Sequence, residues 1–172
     1  MRERVFLNND MSDHAPPRYF YTKKDRESNF YPCVFKYNDV YMRTSEHHLM
    51  RAKALLMGDQ VAAGAIMAAP TALAAKRIGR TVRPWNQGLW DDNCDQIMED
   101  ILVAKFNYTP AMRKYILGIK GHFYEASPRD KVWGIGIGVE QARKGKPHRG
   151  QNKLGRALDR ARARIAAQVE DP

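Results

Sequence analysis

The sequence has little that would cross-link, metallate or anchor it. Only two of its 172 residues are cysteines, Cys33 and Cys94, and neither has Cys-x-x-Cys spacing or a histidine ladder beside it. That excludes a disulfide framework and a thiolate zinc site, and it reads as two packed thiols in a reducing, cytoplasmic setting. Of the five histidines, His47 and His48 are adjacent. On a helix their side chains diverge by about 100°, so they cannot readily chelate one ion. With no His-Glu-x-x-His anywhere, no metal is expected. The glycine-containing runs 134–138 and 149–155 match neither a P-loop nor the dinucleotide fingerprint, so no cofactor is expected. The longest apolar stretch, 61–69, is interrupted by Gly64 and is about half the roughly 20 residues that cross a bilayer. The first residues hold no apolar segment of signal-peptide length, so neither membrane insertion nor export is expected.

What is present is ordinary globular material: 44% hydrophobic and 28% charged residues, enough chain for one domain with a real core. Charge is the exception. Lysine and arginine number 29 against 19 acids, a net charge of +10, and nine of the basic residues against four acids fall within 139–172. This bias suits an anionic partner, a nucleic acid or a phosphorylated small molecule, as well as it suits a solvated helix face.

Residues 1–17 are polar and end in Ala15-Pro16-Pro17, which predicts a flexible arm before one domain over 18–172. Alternation around Asn38-Asp39 predicts a hairpin over 33–43. Thr44 or Ser45 caps a helix over 46–57, ended by Gly58-Asp59. Helices follow over 60–68, from Pro70 to Gly79, over 91–106 with Ile97, Ile101, Leu102 and Lys105 on its inner face, and from Thr109-Pro110 to Leu117. Residues 123–138 suit strands and tight loops, and 141–150 a mobile basic loop. A last helix over 153–169 should bury Leu154, Leu158, Ile165 and Val169 while arginines 160, 162 and 164 face outward. The expectation is an α+β fold, predominantly helical, with a small antiparallel hairpin or sheet.

Two groups could carry chemistry. Glu46 and Lys53 are seven residues apart, so on a helix they share one face, with Met50 between them. A carboxylate and a partly desolvated amine on one face can serve as acid/base and nucleophile. Spacing alone also fits a solvated surface pair, which is the commoner case. In the segment 125–134, Asp130 could act as general acid/base, Arg129 as a phosphate clamp and Trp133 as a stacking surface. A core tryptophan beside a surface ion pair fits it too. Residues 149–155 precede a helix whose first N–H groups could receive a phosphate.

The order and spacing of several blocks decide between these readings: Phe20-Tyr21, Ser28-Asn29-Phe30-Tyr31-Pro32, Thr44-Ser45-Glu46-His47 with Lys53, Ala75 to Arg80, Trp90 with Met98, Ala104-Lys105-Phe106, Glu125 to Gly134, and Gly150 to Gly155. Together, over 19–164, they resemble the NADAR (YbiA-like) family. The resemblance implies a compact, mainly helical α+β fold and cleavage of N-glycosidic bonds. The implied substrates are ADP-ribose on a nucleobase, such as guanine in nucleic acid, or ribosylamino-pyrimidine 5′-phosphates of riboflavin synthesis. It implies Glu46, Lys53 and Asp130 as catalytic residues. It further implies that Asn29 binds the ribose, that Phe30, Tyr31 and His47 contact substrate, that Trp90 and Trp133 enclose the base, and that Arg80, Arg129 and Asn152 receive phosphate. One position departs from the pattern, Met50, where related sequences commonly have Gln. The basic stretch 141–149 also looks longer than a minimal member needs. A non-catalytic module binding ADP-ribose or nucleic acid is the remaining alternative, and Glu46, Lys53 and Asp130 weigh against it.

Overall fold

A computed structural model describes residues 15–170; the arm expected over 1–17 lies outside them except for its last three residues. The chain runs β1 (Arg18–Phe20), β2 (Phe35–Tyr37), β3 (Val40–Met42), α1 (Ser45–Leu56), α2 (Gln60–Ala68), α3 (Ala72–Gly79), α4 (Gln87–Asn107), α5 (Pro110–Gly118), β4 (Phe123–Glu125), α6 (Val139–Arg143) and α7 (Lys153–Glu170). The α+β, mainly helical architecture is as expected.

Local chemistry explains most boundaries. Asn38 and Asp39 turn the β2–β3 hairpin with φ of 47° and 61°, the left-handed pair that a two-residue turn requires, and Phe35 pairs with Met42 across it. Side-chain oxygens cap the helices: Thr44 receives the His47 N–H, Asp59 that of Ala62, Thr71 that of Ala74, and Thr109 that of Met112, with Pro110 opening α5. Two starts differ from expectation. α3 begins after the Thr71 cap, leaving Pro70 outside its first turn. α4 begins at Gln87, four residues early, because Asn86 accepts the Leu89 N–H. This brings Trp90 into the first turn of α4.

α4 runs through the centre and packs against both α1 and α7. Met98, Ile101, Leu102 and Phe106 on α4 are fully buried with Leu154, Leu158, Ala161 and Ile165 of α7. Each of these side chains other than Ala161 contributes roughly 1.5–3 kcal/mol of transfer free energy. Val169, expected inside, is exposed. Arg162, expected outside, is buried: its guanidinium donates to the Ile119 and Gly121 carbonyls and pairs with Asp159 at 2.9 Å. It ties α7 to the loop entering β4.

Besides the antiparallel hairpin, β1 and β4 form a parallel pair, with Phe20 opposite Glu125. Of the segment 141–150, expected as a loop, only the part from Lys144 onward is one. The segment's first residues complete α6, and Ala142 is buried with Ala126, Ile135 and Ile137 in a second small core. The Arg149 N–H donates to the Ile135 carbonyl at 2.8 Å. No described helix is long and apolar enough to cross a membrane.

Candidate active site

The Thr44 cap places Glu46 in the first turn of α1, and the helical repeat sets Met50 and Lys53 below it. The Glu46 N–H donates to the Asn29 carbonyl at 3.0 Å, fastening the 28–31 loop to the start of the helix. Behind that loop the fully buried Lys105 donates from Nζ to the Ser28 carbonyl at 3.0 Å. These ties bring Asn29 and Phe30 beside Glu46 and Lys53 in one pocket of about 230 Å³. α3 contributes Lys76 and the exposed Arg80, and α4 contributes Trp90. Glu125 enters from the end of β4, and Asp130 and Trp133 from the loop after it.

Burial dominates the electrostatics. Glu46 is only 4% exposed, and desolvation pushes its carboxyl up to about 7 against the pull of Lys76, with Asp130 adding to the rise. Glu125 is likewise pushed up to about 7, by burial and then by Asp130, and its Oε2 is buried without a hydrogen-bond partner among the described residues. The two raised carboxyls face one pocket: Asp130 raises both, and Glu46 adds to the rise of Glu125. Desolvation lowers Lys53, while Glu46 opposes the shift. The Lys53 ammonium lies 4.5 Å from the Trp85 ring centre and 5.7 Å from that of Trp90, an aromatic seat for a cation.

Asp130 is partly committed to its own loop. Its Oδ1 receives the N–H groups of Val132 at 2.9 Å and Trp133 at 2.8 Å, forming the turn that presents Trp133. Gly134 follows because a Cβ there would lie 2.9 Å from the Asp130 carbonyl oxygen.

Eight of the residues expected to form the site, Glu46, Lys53, Asp130, Asn29, Phe30, Arg80, Trp90 and Trp133, line this pocket. Arg129 does not; it lines an adjoining groove of about 720 Å³ with Lys23, Lys76, Arg80 and Lys131. Tyr31 sits by Lys105, whose Nζ is 5.7 Å from its ring centre. His47 is buried beneath the helix start, Nδ1 at 2.8 Å from Thr44 Oγ1 and Nε2 at 3.1 Å from the Ala69 carbonyl. Asn152, in a left-handed conformation with φ of 51°, donates to the Phe123 carbonyl and accepts from the Glu125 N–H. Its amide therefore braces β4 behind the pocket. Beyond Trp90 and Trp133 a second groove, of about 590 Å³, opens toward Cys94 and Lys153.

Sequence reasoning assigned no role to Glu125, Lys76 or Trp85. Glu125 and Lys76 lay inside the quoted blocks, but nothing local shows that the end of β4 would meet Glu46 and Lys76, which precede Glu125 by 79 and 49 positions. Among the described residues no group of three or more His, Cys, Asp or Glu side chains could hold a metal ion.

The chain is similar to known proteins. The NADAR domain pattern matches residues 19–166. A protein named N-glycosidase R617, from Acanthamoeba polyphaga mimivirus, is 34% identical over 69% of this chain and 72% of its own length. Protein irg-1 of Caenorhabditis elegans is 29% identical over 99% of this chain and 88% of its own. The NMR structure of the E. coli protein YbiA superposes with a TM-score of 0.74 at 25% identity, covering 91% of this chain and 88% of that one.

Proposed function

The chain belongs to the NADAR domain family and is an N-glycosyl hydrolase, and from that premise we propose that its substrate is ADP-ribose joined to a nucleobase nitrogen, as on guanine in nucleic acid. The observation that carries the reading is the groove of about 720 Å³ that continues from the pocket past Lys76 and Arg80 to Lys23, Arg129 and Lys131. It offers cations beyond those one ribose phosphate needs, as a diphosphate arm requires.

In this reading the ribose C1 lies between Glu46 and Lys53, with Asn29 on the sugar and the base against Trp90 and Trp133. As the C1–N bond breaks, positive charge develops at C1, and a preorganised carboxylate such as Glu46, itself almost wholly shielded from solvent, stabilises it. Lys53, with its lowered proton affinity, is placed either to attack C1 and release the opened sugar through a Schiff base or to hold the sugar for direct attack by water. A second reading, hydrolysis of a ribosylamino-pyrimidine 5′-phosphate, has its own support: Lys76 and Arg80 in the central pocket suffice for a single phosphate.

The test is incubation of wild type and Glu46→Gln with ADP-ribosylated DNA and, separately, with the ribosylamino-pyrimidine phosphate, following base release by mass spectrometry. Release of ADP-ribose from DNA by wild type, reduced at least about 100-fold in Glu46→Gln, is the expected result. Turnover of the small phosphate alone would establish the second reading instead.

A further inference from the structure

The mechanism above does not use Glu125, a pocket residue that is partly exposed but whose Oε2 is shielded from solvent. Glu125 sits at the end of β4 with its backbone held on three sides. Its N–H donates to Asn152 Oδ1 at 3.1 Å, and its carbonyl receives the N–H groups of Ser127 at 2.8 Å and Ile135 at 2.9 Å. A backbone pinned in this way leaves the side chain few directions, and it lines the pocket with Glu46. Yet Oε2, buried from solvent, bonds to nothing among the described residues. A buried carboxyl oxygen without a partner gives up the hydrogen bonds it would make in water and is costly to keep. Such an arrangement is explained if a substrate atom completes it.

Asp130, the other candidate for proton transfer, is less suited. Its Oδ1 accepts the N–H groups of Val132 and Trp133, which fix the side chain in the loop and leave it less free to meet a substrate atom. We propose that Glu125 is the proton donor to the leaving nitrogen, and that Asp130 is the positioning residue that shapes the loop around it. The assignment rests on the N-glycosidase reading.

The step balances without any co-reactant. The C1–N electron pair leaves with the base nitrogen, which takes the proton from the Glu125 carboxyl. Water bonds to C1 and gives a proton to the Glu46 carboxylate, and proton exchange through solvent restores the starting forms. Opposite roles for two neighbouring carboxyls need unlike protonation, and the burial that pushes both up to about 7 leaves the pair holding a proton near neutrality. The groups that set this balance are Lys53 on α1, Lys76 on α3, Arg80 just past the end of α3, and Asp130 in the loop after β4.

The test is a series of N-ribosyl 5′-phosphates whose leaving bases differ in acidity, from a neutral amine that must be protonated to a pyridinium that needs no proton. kcat is measured for wild type, Glu125→Gln and Glu125→Asp, with thermal unfolding to show that each is folded. Glu125→Gln should lose about 100-fold or more on the amine and under about 10-fold on the pyridinium. Glu125→Asp should recover part of the amine activity. A loss equal across the series, or no loss, with wild type active throughout would overturn the proton-donor role and leave the glycosidase reading standing. Wild type that cleaves no member would overturn both.

Discussion

Burying Glu46 beneath the start of α1 costs the fold stability wherever that carboxyl must ionise. Its pKa rises on folding from the ordinary 4.5 to about 7, so the folded state binds the proton more tightly than the unfolded one. The resulting stabilisation is fully present below about pH 4.5 and is lost as pH rises through 7. A shift of that size corresponds to at most about 3 kcal/mol. Glu46→Gln, which cannot ionise, should therefore match wild type near pH 4.5 and exceed it in stability by pH 8, by urea denaturation at both values. A difference independent of pH would show that Glu46 is not desolvated as described. The same residue should be dispensable for folding and required for base release. That division is expected where a site keeps a group for chemistry at the expense of stability.

At the scale of the helix pair, α1 and α3 meet where Gly79 faces Met50. A Cβ at Gly79 would lie 2.1 Å from Met50 Sδ and 3.2 Å from Met50 Cβ, so the neighbour would have to move. Met50 lies one turn from both Glu46 and Lys53, and its displacement would disturb the face that carries them. Gly79→Ala gains up to about 1 kcal/mol in helix propensity, but overpacking costs about 1–3 kcal/mol. A net destabilisation of about 1–2 kcal/mol is expected, with lower kcat. In a double-mutant cycle with Met50→Ala the two changes should couple, the pair being less damaging than their sum; strict additivity would mean that the contact does not matter. Elements of this kind were partly legible in the sequence. Thr44 and Thr109 announce their helices through the cap itself, and α2 spans Gln60–Ala68 as its composition predicts, although Asp59, expected only to end the helix before it, is its cap. The parallel β1–β4 pair was not legible, because three-residue strands show no alternation and their partners lie over a hundred positions apart. Arg162 was missed for a related reason: its burial depends on the carbonyls of Ile119 and Gly121, which no helical period reveals. The site divides the same way. Glu46 and Lys53 share a helix and could be paired from spacing, whereas Glu125 reaches them only through tertiary folding.

For the molecule as a whole, a net charge of +10 raises the question of where a polyanion would run. Removing 141–149 would be a poor way to ask, because Ala142 is core and the Arg149 N–H is bonded to Ile135. Arg143, Lys144 and Lys146 are exposed. The pair of Lys144 with Glu140 at 2.6 Å lies on the surface and contributes little to stability. Replacing all three by Gln therefore changes the field while sparing the fold. If substrate is carried on a nucleic acid strand that passes this surface, the variant should bind single-stranded DNA more weakly. The slope of log affinity against log salt should then fall by about 2, since each phosphate contact on a single strand contributes about 0.7. Hydrolysis of a free ADP-ribosyl nucleobase should be unchanged, because none of the three lines the pocket or either adjoining groove. An unchanged salt slope would move the strand's path to the Lys23, Arg129 and Lys131 side, where the cations already adjoin the catalytic pocket. Loss of turnover on the free nucleobase compound would instead show that this surface, through α6, supports the loop that presents Trp133.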